Sequence, residues 1–583
     1  MTQVYLWRPT DEASHDAEMI FRDALATLAA EYQAVFGRDY RSRIRVGADG
    51  ALVGQIAWDD GVVGWESWIE DGERGIAWSG VCESLLHADA SMSIPARVLA
   101  LIDDRDRSRQ DELEGRFAAV VWDDRARRTT LVTGAVASPQ LWQVDGPRGW
   151  AAGSRAAPLL EMVGRDRALD LDAATAFLAF GYLAGDGALF AGVKRIGGRM
   201  RIDATGRDGP VRRTSATIAE PRPSLVDPTA AAHRLGMRIA RQLAASGTPA
   251  LLLTGGRDSR AIGAGLARAG FTGPAFTGGS DASADVTVAG RIAAVLGITH
   301  HRGSGPAATL ATDAALAWTR VSESTQSLRQ AISHRRFFER TLPVPEERHQ
   351  LFHGLGGEIA RAYYYQGGAP TTGMPFLLAK ADQRLALRRP LEPVLAPILD
   401  GFTTDIAAVH PTEAQWLDLF YWQNRCLRWG TDLLAGADLM DWHWTPFLDA
   451  NWLGDAWNLD VHAKRSNAFI EAVTVALDGR LAGMTYATDL ALGGGRLRSV
   501  KRSAYQVAQR VAPGWARRMR RGRAVDDAKV AAFMTSLLAS GRAAAWHEIA
   551  TPRDVARLIE TDPGAEVLWS LAAIDLFERA FRT

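Results

Sequence analysis

The sequence predicts an α/β protein in two parts, a β-rich first part and a second part built on a parallel sheet that ends in a mainly helical region. In the first part, short apolar patches such as residues 115–124 and 129–133 alternate with turns. Beyond a proline-rich stretch at 220–228, strands alternate with longer helices, which is the order typical of a parallel sheet. We therefore expect two domains, residues 1–220 and 221–583.

The composition narrows the functional classes. Lys and Arg together number 67, as do Asp and Glu, so the formal net charge is zero and gives no general argument for binding nucleic acid or a membrane surface. The two cysteines, Cys82 and Cys426, exclude a disulfide framework and a cysteine zinc site. We find neither a basic-then-apolar N-terminal signal nor an apolar run long enough to cross a bilayer. These features favour a cytoplasmic globular protein without nucleic-acid or membrane partners.

The most informative segment, residues 251–260, reads Leu-Leu-Leu-Thr-Gly-Gly-Arg-Asp-Ser-Arg. Its apolar residues predict a buried strand, the glycine pair predicts a turn, and a helical run follows. Such a turn lets the backbone approach a ligand, and a helix start offers N–H groups to an anion, so the segment suits phosphate. Asp258 at that point can hold Mg²⁺ against phosphate oxygens. The alternative is a glycine-rich turn with a capping aspartate.

This segment resembles the pyrophosphatase loop of the ATP-dependent amide synthetases, which usually reads Ser-Gly-Gly-x-Asp-Ser; here Thr254 keeps the hydroxyl of the first serine. The resemblance implies a synthetase domain of the adenine-nucleotide α-hydrolase type, with ATP and Mg²⁺ as cofactors. It also implies cleavage of ATP between the α and β phosphates by way of an acyl-adenylate. Asp258 and Ser259 are then catalytic as well as ligand-binding. The loop residues expected to contact ATP are Leu253, Thr254, Gly255, Gly256, Arg257, Asp258 and Ser259.

Two further segments resemble parts of the same domain. Residues 276–285 are similar to the family's second nucleotide strand and helix, which implies that Thr277 and Gly278 contact the adenine through their backbone. Taken alone, this segment fits an ordinary strand–helix unit equally well. Residues 351–360 resemble the glycine turn that closes on the α-phosphate. The residues implied at the nucleotide in that turn are His353, Gly354 and Gly356.

Glu358 occupies the position of the family's metal-binding aspartate in the same turn. A carboxylate that is one methylene longer can still bind Mg²⁺. Two carboxylates on facing strand ends, Asp258 and Glu358, suit a hard cation that is shared with phosphates. The alternative for Glu358 is a plain carboxylate at a helix start.

The first part of the chain resembles the class II glutamine amidotransferases, whose fold is an αββα sandwich. Residues 113–123 are similar to the hairpin core of that domain, and residues 138–142 to the end of its glutamine-site motif. Those glutaminases begin with a nucleophilic cysteine, whereas position 2 here is Thr2, and residues 133–135 replace the motif's Arg-Asp. We expect a domain that keeps the fold and has lost glutamine hydrolysis. A nucleophilic Thr2 is the alternative.

Members of the synthetase family place a lysine late in the chain, where it stabilises charge on the α-phosphate and on the tetrahedral intermediate. The candidate is Lys501, which follows a triple glycine that predicts a mobile flap. Lys464 is the weaker candidate, because we expect it on an exposed helix. Residues 417–428 form a plausible helix lining the acyl pocket. No general base is identified, and His353 and His443 are weak candidates.

Two subclasses of this family, the β-lactam synthetases and the lasso-peptide cyclases, have a first part that has lost glutamine hydrolysis. They also carry an arginine after the Asp-Ser pair, as this chain does at Arg260. The former carry a tyrosine where Leu355 stands. The chain therefore resembles a lasso-peptide macrolactam synthetase. This implies that it adenylates an Asp or Glu side chain of a precursor peptide and closes a ring with the peptide's α-amine. A leader-recognition protein and a leader peptidase are the implied partners.

Other functions stay open at this point. One is a β-lactam synthetase-like or ammonia-dependent asparagine synthetase-like ligase that acts on a small molecule. Another is a non-catalytic scaffold with a decayed ATP site, although the retained Asp258, Ser259 and Glu358 argue against decay. Residues 551–583 predict an amphipathic helix that either caps the core or docks a partner.

Overall fold

We describe the protein from a computed structural model of the chain. The residues that the structure describes are 2–12, 15–58, 66–86, 97, 99, 113–136, 138–204, 211–214, 226–278, 283–302, 312–325, 349–366, 368–382, 384–488, 532, 535–536, 545–562 and 566–581. Their architecture is mixed α/β, with antiparallel sheets, one parallel five-stranded sheet and C-terminal helices. The predicted fold class is confirmed at this level.

Two six-stranded antiparallel sheets form the first part of the chain. Their strands are β1 (Thr2–Pro9), β2 (Arg41–Val46), β3 (Leu52–Ala57), β4 (Trp68–Asp71), β5 (Arg74–Cys82), β6 (Gly115–Asp123), β7 (Arg128–Thr133), β8 (Trp142–Gly146), β9 (Gly149–Gly153), β10 (Lys194–Arg195), β11 (Met200–Asp203) and β12 (Val211–Thr214). One sheet has the order β10-β8-β9-β1-β3-β2 and the other the order β12-β11-β7-β6-β5-β4. The strands predicted near 115–124 and 129–133 are confirmed as β6 and β7.

The two sheets pack face to face through their apolar sides. Val4 and Leu6 of β1 share one buried core with Val120 and Trp122 of β6. These residues are two positions apart along each strand, which is the spacing that places side chains on one face of a sheet.

Helices surround both parts. The helices are α1 (Ala17–Phe36), α2 (Ala156–Val163), α3 (Leu171–Phe180), α4 (Pro228–Ala244), α5 (Asp258–Arg268), α6 (Ala284–Leu296), α7 (Thr312–Ser322), α8 (Gly373–Lys380), α9 (Leu391–Ile406), α10 (Glu413–Phe420), α11 (Thr431–Ala437), α12 (Ala450–Trp457), α13 (Val461–Ser466), α14 (Ala468–Leu477), α15 (Pro552–Thr561) and α16 (Glu566–Phe581). A π-helical segment, Tyr421–Gly430, joins α10 to α11. Of these, α1 and α2 cover the outer face of the sheet that contains β1.

The parallel sheet of the second part positions the candidate site. Its strands are β13 (Pro249–Leu252), β14 (Ala275–Thr277), β15 (His300–Arg302), β16 (Gln350–Phe352) and β17 (Trp442–Trp444). Their order is β15-β14-β13-β16-β17, and all neighbours pair in parallel. Because the carboxyl ends of parallel strands meet at one edge, the segments that follow β13, β14 and β16 converge there. Ligands of open parallel sheets bind in the crevice at this edge.

The helix predicted after the proline-rich stretch is confirmed as α4. The side chain of Asp227 accepts hydrogen bonds from the N–H groups of Thr229 and Ala230, and Pro228 occupies the first turn. Both features stabilise a helix start, because the first N–H groups lack partners inside the helix.

The prediction of one amphipathic helix at 551–583 is wrong in one respect, because two helices, α15 and α16, occupy this stretch. The first ends at Thr561, and its cap residue Asp562 precedes Pro563 in the sequence; a residue before proline disfavours the helical conformation. In α16, Phe577 and Phe581 pack on Phe190 with ring centroids 4.7 and 5.0 Å apart. The helix therefore caps the core next to the first part of the chain.

The predicted domain boundary at residues 220 and 221 falls outside the described residues and stays a prediction. Within the described ranges, no helix has the length and apolar character that crossing a membrane requires.

Candidate functional site

The loop between β13 and α5 is shaped by its own hydrogen bonds. Ser259 Oγ accepts from the N–H of Thr254 at 3.0 Å and lies 2.9 Å from Thr254 Oγ1. The N–H of Gly256 donates to the same Thr254 hydroxyl at 3.2 Å, and Asp285 on α6 accepts from the N–H of Gly255 at 3.1 Å. The two predicted hydroxyl residues therefore hold the turn in shape without a ligand.

The second glycine turn, residues 354–357, lies directly against Asp258. A Cβ on Gly357 would come within 2.5 Å of Asp258 Oδ1, and one on Gly354 would lie 3.0 Å from Asp258 Cβ. Gly356 has a φ of +95°, a conformation that side chains rarely adopt. Small residues are thus required here because the turn and the aspartate approach so closely.

Asp258 and Glu358 come together, as predicted from facing strand ends, around a residue that the sequence did not point to. Nη2 of Arg361 lies 2.7 Å from Asp258 Oδ2 and 3.7 Å from Glu358 Oε1. The hydroxyl of Tyr421 donates to Glu358 Oε2 at 3.1 Å. Burial raises the pKa of Asp258 to about 7, with Arg361 opposing the rise and Glu358 adding to it. Among the described residues, both carboxylates are within 4 Å of the same Arg361 guanidinium, and Arg257 adds a weaker influence on the pKa of Asp258.

These carboxylates fit a Mg²⁺ ion that arrives with a nucleotide. Asp258 Oδ1 is buried and has no hydrogen-bond partner among the residues that the structure describes, a costly state that a bound cation would relieve. Across the part of the chain that the structure describes, no group of three or more His, Cys, Asp or Glu side chains could hold a metal ion by itself. Mg²⁺ commonly uses one or two protein carboxylates and completes its shell with substrate phosphates and water. Asp258 and Glu358 match that requirement.

Arg257 and Arg260 hold a segment that follows α14 against the loop between β13 and α5. Arg260 donates to the carbonyls of Met484 and Thr485, both at 2.9 Å. The ring centroid of Tyr486 lies 4.0 Å from the guanidinium carbon of Arg257 and 3.9 Å from that of Arg260. Sequence reasoning assigned Arg257 to ATP and missed Tyr486, because no local pattern links residues so far apart.

The segment that follows α14 packs so closely on Gly255 that a larger side chain would not fit there. The N–H of Ala487 donates to the carbonyl of Gly255 at 3.1 Å, and a Cβ on Gly255 would lie 2.4 Å from the Cβ of Ala487. The glycine predicted to let a ligand approach therefore also lets the chain after α14 close on the loop.

The predicted catalytic lysine, Lys501, and the triple glycine before it lie outside the described residues. The weaker candidate was placed wrongly, because Lys464 is only 1% exposed. Its Nζ pairs with Asp418 of α10, which also accepts from the hydroxyl of Tyr365 at 3.0 Å. Helix α13 is short and polar, so its pattern suggested an exposed face, whereas α10 supplies a buried acid for its lysine. An amine held in this way is not free to act on a nucleotide.

The segment predicted to pack the adenine has the expected strand–helix form in β14 and α6. The hydroxyl of Thr277 donates to the carbonyl of Leu253 at 2.6 Å and lies 2.8 Å from Nε2 of His300. A Cβ on Gly278 would meet no described atom within 4 Å, so there is open space beside this backbone. The adenine contact itself stays a prediction.

His353 lies behind the second glycine turn. Its Nδ1 accepts from the N–H of Leu355 at 3.0 Å, which assigns the ring proton to Nε2, and its ring meets that of His443 edge-on at 6.2 Å. Burial, with smaller contributions from His443 and Arg116, lowers the pKa of His353 to about 3. A ring with so low a pKa is a poor general base at neutral pH.

Arg116 of β6 connects the first part of the chain to these histidines. It is 2% exposed and donates to the carboxylate of Asp438 and to the carbonyl of His443. Its Nε donates to Ser138 Oγ at 3.0 Å. Nothing in the apolar pattern of β6 indicates this role, because the acceptors are contributed by the second part of the chain.

We expect the low pKa of His353 to make folding sensitive to acid. The unfolded chain binds a proton at this histidine below a pH of about 6.5, whereas the folded chain does not, so stability is lost as the pH falls from there towards 3. The free energy of unfolding should fall by up to about 2 kcal/mol between pH 6.5 and pH 5. His353→Asn keeps an acceptor for the N–H of Leu355 and cannot titrate, so urea unfolding at the two pH values should show a smaller loss.

The matched control for that experiment is His410→Asn. His410 is exposed and has a φ of 47°, a conformation that asparagine tolerates. This variant should lose stability in acid as the wild type does. If wild type and His353→Asn lost the same free energy of unfolding between the two pH values, His353 would not be the group responsible for the acid sensitivity.

The first part of the chain offers no cysteine nucleophile. Burial raises the pKa of Cys82 to about 12 and also raises the pKa of Cys426, so both thiols are protonated at neutral pH. Thr2 begins β1, where its carbonyl accepts from Ser79 Oγ at 2.7 Å. The expected loss of glutamine hydrolysis stays a prediction.

No protein-family model matches the chain, and no curated protein matches it. Functional inference therefore depends on the geometry of the site and on the motifs themselves.

Proposed function

We propose that the chain is an ATP-dependent, AMP-forming carbon–nitrogen ligase that joins a carboxylate to an amine. One observation carries the proposal: at the carboxyl edge of the parallel sheet, Asp258 and Glu358 meet beside a glycine loop, and Asp258 Oδ1 is buried without a hydrogen-bond partner among the described residues. A buried carboxylate oxygen without a partner is costly, and a cation bound beside the loop would offset that cost.

Within this proposal, the first part is a glutaminase-like αββα domain and the second an adenine-nucleotide α-hydrolase-like synthetase domain. The face-to-face antiparallel sheets and the parallel sheet with its edge loops support these identities. Because neither buried thiol can serve as a nucleophile, the amine comes with the substrate. We infer a precursor peptide that supplies both groups, as in a lasso-peptide macrolactam synthetase, with a leader-recognition protein and a leader peptidase as partners.

Each residue of the site has its own role in the proposed reaction. Thr254 and Ser259 keep the loop open for the phosphates, while Asp258 and Glu358 would hold Mg²⁺. That ion, when bound, offsets charge on the pyrophosphate that leaves. The substrate carboxylate attacks the α-phosphorus, the bond to the β-phosphate breaks, and the peptide's α-amine then displaces AMP from the acyl carbon. Holding amine and carboxyl in one pocket replaces a bimolecular encounter and supplies much of the rate.

Tyr421 positions Glu358 in this scheme. Burial raises the pKa of Tyr421 well above 10, so the phenol stays protonated and donates to the glutamate at neutral pH. In this scheme it is therefore a hydrogen-bond donor to Glu358.

A second candidate function is a β-lactam synthetase-like or ammonia-dependent asparagine synthetase-like ligase of a small molecule. The hydrogen bond of 3.1 Å between Tyr421 and Glu358 favours it, because β-lactam synthetases also pair a tyrosine with a glutamate. Here the tyrosine comes from the π-helical segment, whereas Leu355 fills the position in the turn.

Release of AMP and pyrophosphate from ATP by the purified full chain tests the proposal. Parallel reactions receive short peptides that begin with glycine and carry an internal Asp or Glu, aspartate with ammonia, or no substrate. We expect peptide-dependent AMP and a peptide product lighter by one water. Aspartate-dependent AMP would favour the second candidate. A chain that neither binds ATP nor forms AMP would be a non-catalytic scaffold.

A further inference from the structure

Among the described residues, one arginine without an acidic partner, Arg425, stacks on aromatic rings in the π-helical segment that also carries Tyr421. The guanidinium carbon of Arg425 is 3.8 Å from the ring centroid of Trp429 and 5.5 Å from that of Tyr182. Among the residues that the structure describes, none forms a hydrogen bond or an ion pair with Arg425, whereas Arg428 on the same helix pairs with Asp186. A guanidinium stacked on rings, with its N–H groups unused, is well suited to a carboxylate.

Four tyrosines connect Arg425 to the predicted metal site, and we call them the tyrosine surface. Tyr421, which donates to the metal-site glutamate, lies 4.6 Å from Tyr363 between ring centroids. Tyr363 lies 5.0 Å from Tyr364, whose hydroxyl is 3.4 Å from that of Tyr182. Tyr363 is 44% exposed, a large fraction for an aromatic side chain. The surface is therefore open to solvent at its centre.

Arg425 belongs to the same π-helical segment, Tyr421–Gly430, as the tyrosine that donates to Glu358. One helical segment therefore carries both the partner of the metal-site glutamate and the stacked arginine.

We propose that Arg425 and the tyrosine surface form the subsite for the acyl donor, a peptide segment that bears a side-chain carboxylate. Arg425 pairs with that carboxylate, and Tyr363 packs against the neighbouring peptide. This inference rests on the proposed function and adds the group that recognises the substrate. Charge complementarity favours this occupant. Among the described residues, Arg361 is already paired with Asp258 and Glu358, whereas Arg425 has no carboxylate partner and can take the carboxylate of a ligand.

Direct binding of two peptides to the full chain, measured by titration calorimetry without ATP, tests the subsite. The peptides are amidated at the C-terminus and differ only by Glu or Gln at one internal position. We expect wild type to prefer the Glu peptide, and Arg425→Gln to lose roughly tenfold or more in affinity for it with little change for the Gln peptide. Arg425→Lys should recover part of the preference, because it restores the charge without the planar fork.

The matched control is Arg428→Gln, which removes an arginine from the same helix that already has a partner and should leave the preference unchanged. If Arg425→Gln does not fold, Tyr363→Ala replaces it, since an exposed ring can be removed safely, and affinity for both peptides should fall. Equal binding of the two peptides by wild type, no binding of either, or an unchanged preference in Arg425→Gln would overturn the subsite.

Exchange of labelled pyrophosphate into ATP, measured on the same samples, separates this inference from the proposed function. If binding prefers the Glu peptide through Arg425 but no labelled pyrophosphate enters ATP, the subsite would stand and the proposed ligase function would be refuted. Peptide-dependent exchange that is insensitive to Arg425→Gln would keep the ligase and refute the subsite.

Discussion

Asp258→Asn is expected to reduce AMP formation by at least about a hundredfold while leaving the fold as stable as before. The amide keeps the size of the side chain but loses the charge that would hold Mg²⁺ against phosphates. Little stability should be lost, because Asp258 Oδ1 has no partner in the part of the chain that the structure describes and burial raises the pKa of this carboxyl to about 7. Such a group favours folding below a pH of about 4, and that contribution is lost as the pH rises through 7. The measurements are AMP release and urea unfolding at pH 8.

Asp285→Asn is the matched control for this prediction. Asp285 also faces the loop, but it accepts from the N–H of Gly255, and an asparagine oxygen can take its place. We expect its AMP formation to stay within a few-fold of wild type. Equal losses in both variants would mean that the loop needs negative charge in general and would remove Asp258 from its special role. Wild-type activity in Asp258→Asn would exclude it as a metal ligand.

The sequence predicted the parts of the site that are local along the chain. The run 251–260 gave the strand, turn and helix in order, and Glu358 followed from the matching turn after a neighbouring strand. Topology then brings Asp258 and Glu358 together, since β13 and β16 are adjacent and parallel. Spacing along the chain suffices for such predictions, because both residues follow strand ends.

The partners of these residues could not be predicted in the same way. Arg361 lies three positions beyond Glu358, but only the fold shows that it reaches Asp258 as well. Tyr421 and Tyr486 arrive from distant segments with no motif of their own. Lys464 was misplaced for the related reason that its buried partner belongs to another helix. Contacts between elements depend on packing, which a single sequence does not encode in any local pattern.

Arg116→Met is expected to lower the free energy of unfolding by about 3–5 kcal/mol, the usual cost of removing one member of a buried ion pair. Asp438, which is 17% exposed, would lose the cation with which it is paired. Although burial opposes it, Arg116 and then His443 hold the pKa of Asp438 below its ordinary value, so the carboxylate is ionised in the intact pair and its burial cost is no longer offset when the arginine is lost. Urea unfolding followed by circular dichroism measures the effect.

The double variant Arg116→Met with Asp438→Leu tests whether the lost stability comes from the carboxylate that has lost its arginine. Replacing both partners by apolar side chains should recover most of the loss, since the desolvation cost of the pair disappears with it. If the double variant is as unstable as Arg116→Met, the lost free energy of unfolding comes instead from the hydrogen bonds that Arg116 donates to Ser138 and to the His443 carbonyl. Either way, Arg116 reaches from a strand of the first part to the residues behind the second glycine turn. The first part of the chain therefore has a physical role in the site of the other part, because it supports the residues behind that turn.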